Sequence, residues 1–89
     1  MKKLRTCVLG ATGIVGQHFV RLLQNHPYFD LVGVTASERS QGKTYGAATD
    51  WIVSKHIPSE SEGLLVQATQ TQDIIKQDPD IVFSALPSG

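Results

Sequence analysis

An α/β fold built on a parallel sheet is predicted by three observations. An apolar run ends in a glycine-rich turn, Val8-Leu9-Gly10-Ala11-Thr12-Gly13-Ile14-Val15-Gly16. An amphipathic helix pattern follows it directly, and further apolar runs at Leu31–Ala36, Leu64–Val66 and Asp80–Leu86 alternate with polar or helical stretches. Continuous rather than alternating apolar runs belong to strands covered on both faces. Strand, glycine turn and helix start in succession make a phosphate cradle, so the pattern predicts the first mononucleotide-binding half of a Rossmann-like, doubly wound fold. Residues 1–89 are read as one partial dinucleotide-binding domain, half of a larger fold.

Bulk properties narrow the function classes. A chain of 89 residues can bury one modest core. Eight Lys+Arg against eight Asp+Glu give a net charge of zero, which argues against broad binding to nucleic acid or an anionic membrane. The single Cys7 excludes an intrachain disulfide and fits a reducing cytoplasm. Lys2, Lys3 and Arg5 ahead of Cys7-Val8-Leu9 superficially resemble a signal peptide, but Gly10 breaks the apolar run and no run is long enough to cross a bilayer. A cytoplasmic protein is expected.

Leu4 to Leu9 is read as a central first strand. The helix after it, about Ile14 to Asn25, places Val15, Phe19, Leu22, Leu23 and His26 on its buried face, leaving Gln17, His18, Arg21 and Gln24 to solvent. Pro27 is expected to stop that helix. Leu31 to Ala36 forms the second strand and delivers Ser37-Glu38-Arg39-Ser40 to the edge where the glycine turn lies. From Gln41 to Gly63 the periodicity dissolves around one apolar island, Trp51-Ile52-Val53. So long an irregular connection is functional or contains a short helix of its own. A third strand starts at Leu64. Thr69 or Thr71 is expected to cap a short helix through Asp73–Lys76, with Gln72 as capping-box partner, ended by Asp78-Pro79. Asp80 to Leu86 is apolar on both faces and is read as an internal fourth strand; nothing in the sequence covers its far edge, so self-association there is a further expectation.

The glycines assign the chemistry. Gly10 can take the turn that leaves the strand, Gly13 can let amides approach a diphosphate, and Gly16 can bring helix and sheet together. The first two glycines are three apart rather than two, and no Gly-Lys-Ser/Thr follows, so a dinucleotide is favoured over ATP. An NAD site would carry an acidic residue ending the second strand, where this chain has Ala36-Ser37. Ser37 and Ser40 can donate to a ribose 2′-phosphate, Arg39 offers a planar cationic fork and Lys43 a second charge, which favours NADP over NAD. Glu38 is placed in solvent; turned inward it would repel that phosphate and permit NAD. Ser84, Ala85 and Leu86 are small or apolar at the end of the fourth strand, where a nucleotide can lie close to backbone. Cys7 is read as a buried hydrophobe, Trp51 as a core anchor, and His18, His26 and His56 lack metal-ligand spacing. No nucleophile and base pair is recognisable, so no catalytic residue is assigned.

Gly10-Ala11-Thr12-Gly13-Ile14-Val15-Gly16-Gln17, His26-Pro27, Ala36-Ser37-Glu38-Arg39-Ser40-Gln41-Gly42-Lys43-Thr44-Tyr45 and Ile81-Val82-Phe83-Ser84-Ala85-Leu86-Pro87 together resemble the archaeal and fungal-type branch of aspartate-semialdehyde dehydrogenase. The resemblance implies a two-domain, homo-oligomeric enzyme that uses NADPH to reduce the acyl phosphate 4-phospho-L-aspartate to the semialdehyde in amino-acid biosynthesis. It also implies a cysteine nucleophile and a histidine acid/base in a downstream region, so the chain alone is expected to be inactive. Carried onto this sequence, it sets Thr12, Gly13, Ile14 and Val15 at the diphosphate, Ser37, Arg39, Ser40 and Lys43 around the 2′-phosphate, and Ser84 to Leu86 beside the nucleotide. A related reductase, of the N-acetyl-glutamyl-phosphate or malonyl-CoA type, and a stand-alone binding or protein-interaction module remain alternatives.

Overall fold

The computed structural model describes residues 2–86; Pro87, Ser88 and Gly89, which complete the last quoted motif, lie outside the described residues, as does the side chain of Thr71. The chain runs β1 (Leu4–Leu9), α1 (Ile14–Leu23), β2 (Phe29–Ala36), α2 (Tyr45–Ala48), α3 (Ser59–Glu62), β3 (Val66–Ala68), α4 (Thr71–Lys76) and β4 (Ile81–Ser84). The four strands form one sheet in the order β3-β2-β1-β4, every pairing parallel. That is the first part of the 3-2-1-4-5-6 order of doubly wound dinucleotide folds. β1 is central, as its apolar run requires. β4 pairs only β1 among the described residues and leaves Val82 39% exposed, so the expected internal strand stands at an edge.

The core fills the α1 side of the sheet. Val8, Val34 and Val66 from three neighbouring strands meet Val20 and Leu23 of α1 and Tyr45 of α2. Phe19 stacks on Phe83 at 5.3 Å between ring centroids, and Phe29 meets Phe83 edge-on at 5.8 Å, which carries the packing out to β4. Full burial of a side chain the size of Val20 contributes about 1.5–3 kcal/mol.

α1 is rotated from the face that its spacing suggests. Val15 and Leu22 are more than half exposed, whereas Gly16, Gln17, Val20 and Leu23 are buried. The helix also ends earlier than expected. Asn25 adopts a left-handed φ of 53° two residues past Leu23, so the chain has already left the helix before Pro27. His26 instead accepts from the Tyr28 N–H through Nδ1 at 3.1 Å and packs on Phe29. α4 begins after Gln70 with no side-chain cap, because the Thr69 hydroxyl is spent on β2, hydrogen-bonded to Thr35 Oγ1 at 2.8 Å and to the Ala36 carbonyl at 3.4 Å. Its C-terminal end is held by Arg5, whose guanidinium donates to the carbonyls of Gln77 at 2.7 Å and Asp78 at 3.1 Å. Arg5 therefore serves the end of the sheet opposite the glycine turn.

The irregular connection resolves into α2 and α3, four residues each, with Gly42, Lys43 and Tyr45 tied to Val66 at the start of β3 and to Leu64 before it. Gly42 N–H donates to the Val66 carbonyl, Val66 N–H to the Lys43 carbonyl, and Tyr45 N–H to the Leu64 carbonyl, all within 2.7–2.9 Å. Among the described residues no helix is long and apolar enough to cross a membrane.

Candidate dinucleotide site

All four strands end at one rim, and a cavity of about 470 Å³ opens there. It is lined by Gly10, Thr12 and Gly13 after β1, Ala36, Ser37 and Glu38 after β2, Ala68, Thr69 and Gln70 after β3, and Ala85 and Leu86 after β4. A crevice at the carboxyl ends of parallel strands, where the order reverses between β1 and its neighbours, is where such sheets bind ligands.

The turn at the head of α1 is shaped by two glycines. Gly10 has a φ of 72°, and a Cβ there would also press on the Ala85 carbonyl at 3.2 Å. At Gly16 a Cβ would fall 2.2 Å from the Gly10 oxygen and 2.6 Å from Ala11 Cα, so only glycine lets α1 lie against the turn. Gly13 differs. Its φ of −78° suits any residue, and a Cβ would meet only the Gly10 oxygen at 3.8 Å. The protein's own atoms leave that space free on the cavity side.

Hydrogen bonding polarises this turn. The Gly10 carbonyl accepts from Gly13 N–H at 3.4 Å and the Gly13 carbonyl from Gln17 N–H at 2.8 Å. The Ala11 carbonyl accepts from the Tyr45 hydroxyl at 2.7 Å, and the Thr12 carbonyl from Gln17 Nε2 at 2.9 Å. Every carbonyl from Gly10 to Gly13 is thus engaged inside the molecule. The amides of Thr12, Ile14, Val15 and Gly16 have no acceptor among the described residues. Unpaired N–H groups at the start of a ten-residue helix favour negative charge beside them.

Tyr45 is fully buried, and burial pushes its phenol well above the ordinary range. The Thr49 hydroxyl lies near enough to temper that shift, although Thr49 Oγ1 is not in hydrogen-bonding geometry with any atom described. The phenol therefore stays a proton donor to Ala11. Cys7 is buried within β1, and burial likewise pushes its thiol up, against a smaller pull from Arg5, as suits a packing residue. No group of three or more metal-ligating side chains occurs among the described residues.

The residues singled out from sequence divide into two sets. Gly10, Thr12, Gly13, Ser37, Ala85 and Leu86 converge on the cavity. Ile14 and Val15 do not line it, and their side chains are 58% exposed, while Gly16 acts by contact with the turn. Arg39, Ser40 and Lys43 lie in a tight turn beside the rim, where Ser40 N–H donates to the Ser37 carbonyl at 3.0 Å and Lys43 N–H to the Ser40 carbonyl at 3.2 Å; none of the three lines the cavity. Ser84 instead accepts from Leu86 N–H. Glu38, placed in solvent from sequence, is exposed and also borders the cavity.

Four participants escaped the sequence reading: Gln17, Thr35, Tyr45 and Thr69. Gln17 was assigned to solvent by helical spacing but is 2% exposed, with Nε2 bonded to the carbonyls of Thr12 and Asp50 and Oε1 accepting from Ile52 N–H at 2.9 Å. Thr35 and Thr69 join their hydroxyls beneath the cavity floor, and Thr35 Oγ1 also receives the Gly10 N–H at 3.4 Å. Thr69 was findable, since the end of every parallel strand reaches the same rim.

Comparison with known proteins agrees with this geometry. Residues 5–89 match the family described as semialdehyde dehydrogenase, NAD binding domain. The aspartate-semialdehyde dehydrogenase of Archaeoglobus fulgidus is 48% identical over 81 residues, 91% of this chain and 23% of that protein. A malonyl-CoA reductase (NADP) from Metallosphaera sedula is 38% identical over 99% of this chain and 24% of its own. The crystal structure of aspartate-semialdehyde dehydrogenase with NADP from Candida albicans superposes with a TM-score of 0.88 at 37% identity, covering 97% of this chain and 24% of that one. The chain spans about a quarter of the length of these relatives.

Proposed function

The chain belongs to the semialdehyde dehydrogenase NAD-binding domain family, and on that footing we propose that it is the NADP-binding portion of an aspartate-semialdehyde dehydrogenase. One observation carries the reading: the glycine turn has its carbonyls bonded inward, its Thr12 amide free at the mouth of a cavity that all four strands share, and the free amides of Ile14 and Val15 following at the head of α1. That arrangement fits a diphosphate, and the space beside Gly13 admits one without displacing protein atoms. The amides of Thr12, Gly13, Ile14 and Val15 would hold the diphosphate. Ala36-Ser37 replaces the carboxylate that would receive an unmodified ribose, and Ser37, Arg39, Ser40 and Lys43 would surround a 2′-phosphate. Ala85 and Leu86 would lie beside the nucleotide, with Ser84 fixing the backbone between them.

When bound, NADPH supplies hydride. This chain's residues bind and orient the cofactor; the acyl-phosphate reduction, the cysteine and histidine that perform it, and a cytoplasmic setting belong to the proposal for the whole enzyme. The malonyl-CoA reductase matches almost the whole chain, so substrate choice is expected to reside outside this portion. The position of Glu38 on the cavity rim supports a second reading, in which NAD is accepted as well.

Trp51, the single tryptophan, packs edge-on against Tyr45 at 6.3 Å and reports on the site by fluorescence. Titration should show NADP binding more tightly than NAD. Arg39→Ala should weaken NADP about tenfold and leave NAD unchanged, as loss of a charge-assisted contact predicts. An unchanged ratio of the two affinities removes Arg39 from the 2′-phosphate; no binding of either nucleotide removes the reading itself.

A further inference from the structure

We infer that Tyr45 and Gln17 are positioning residues for the cofactor's diphosphate: by holding the Ala11 and Thr12 carbonyls inward, they turn the Thr12 and Gly13 amides the other way, toward the cavity that both residues line. The inference rests on the cofactor reading above and adds the residues that make the cradle work.

The argument starts from the peptide plane. In a trans peptide the C=O of one residue and the N–H of the next point in opposite directions. Fixing the Ala11 oxygen on the Tyr45 hydroxyl at 2.7 Å therefore turns the Thr12 N–H the other way. Fixing the Thr12 oxygen on Gln17 Nε2 at 2.9 Å does the same for the Gly13 N–H, whose one internal partner, the Gly10 oxygen, is distant at 3.4 Å. Both residues so aimed line the cavity. A glycine-rich turn without these restraints could flip either plane and offer an oxygen to the anion.

Both restraints come from buried side chains, Tyr45 at 0% and Gln17 at 2% exposure, so water does not compete for them. Each also links the turn to the connection between β2 and β3. Tyr45 belongs to α2, whose backbone is tied to Leu64, while Gln17 grips the Asp50 carbonyl at 3.1 Å and the Ile52 amide at 2.9 Å. The long connection is thus a brace for the phosphate turn. Its irregular stretch at residues 49–53 earns its place by supplying backbone partners to one buried amide.

The test compares two ligands on the full 89-residue chain: NADP, and adenosine 2′-phosphate, which lacks the diphosphate. Tyr45→Phe keeps the ring and its contact with Trp51; Gln17→Met keeps length and volume. Each variant should weaken NADP about tenfold while adenosine 2′-phosphate stays within about twofold of the unaltered chain, since one buried hydrogen bond is lost. A purely structural role would weaken both ligands together, whatever the change in melting temperature, and that result, or no change in either ligand, overturns the inference. Should a variant fail to fold by circular dichroism, hydrogen exchange on the unaltered chain decides. The Ile52 amide should exchange several-fold more slowly with NADP bound than with adenosine 2′-phosphate, and equal rates overturn the coupling. Failure of the unaltered chain to bind NADP removes the cofactor reading and this inference with it; binding with unmoved variants removes this inference alone.

Discussion

The glycine turn at residues 10–16 and the segment from Ser37 to Lys43 stand at the same rim of the sheet, yet they are built from different material. The turn presents backbone amides, and its shape is held from behind by Tyr45, Gln17 and Thr35. The second segment presents side chains, exposed except for the half-buried Ser40, on a tight turn whose internal bonds are all backbone. Backbone amides recognise a phosphate without regard to the rest of the nucleotide, and they must be rigid because they cannot reach. Charged side chains on a surface turn can reach, discriminate a 2′-phosphate and be exchanged at little cost to the fold. Affinity for dinucleotides in general is thereby separated from the choice among them.

The contrast is sharpest at Gly16. Adding a methyl group there drives it to 2.2 Å from the Gly10 oxygen, against backbone that cannot give way. Gly16→Ala should therefore lose about 3 kcal/mol or more in urea unfolding. Gly13→Ala, whose Cβ meets one atom at 3.8 Å, should stay within about 0.5 kcal/mol of the parent and lose NADP binding instead. Equal stability losses at the two glycines would show that the turn is one structural unit with no vacancy made for a ligand.

Alkaline pH separates the two regions differently. Burial favours the neutral phenol of Tyr45 and the neutral thiol of Cys7, so both groups have folded pKa values above their unfolded ones. Their stabilisation is complete below the unfolded values, about 8.5 for the thiol and 10 for the phenol, and is lost as pH rises past each toward the folded value. The melting temperature should fall above pH 10, and Tyr45→Phe should fall less steeply while starting lower. A variant that tracks the parent at every pH would mean the phenol is not what titrates.

Glu38 carries the smallest effect. It is exposed on the rim, so its repulsion of a 2′-phosphate is screened by water and salt. Glu38→Gln should tighten NADP about two- to threefold at low ionic strength, leave NAD alone, and lose the difference in high salt. If NAD weakens instead, the carboxylate receives the ribose hydroxyls and the second reading of the cofactor gains.

Much of this was legible locally. The extent of β1 from Leu4 to Leu9, the start of α1 at Ile14 and the convergence of Gly10, Thr12, Gly13 and Ser37 on one rim follow from an apolar run, a glycine pattern and parallel-strand topology. The face of α1 was not. Helical spacing relates positions to one another but does not say which side of the helix meets the sheet. Apolar Val15 and Leu22 suggested one answer, and the closeness that Gly16 permits, together with the burial of Val20, imposed another. α2 and α3, at four residues each, are too short to show a period. Glu38 could be placed only when the end of β2 was seen to border the cavity.

By itself, then, the order of residues determined where the phosphate turn lies and that it would be made of backbone, because glycine spacing and a neighbouring apolar strand act over a few residues. Only the tertiary structure decided which way the turn's peptide planes face. That depends on Tyr45 and on the Asp50 and Ile52 backbone, more than thirty residues away from the turn atoms and the Gln17 amide they meet. A polar side chain such as Gln17 is buried only when distant backbone groups arrive to satisfy it, and no local pattern records that arrival.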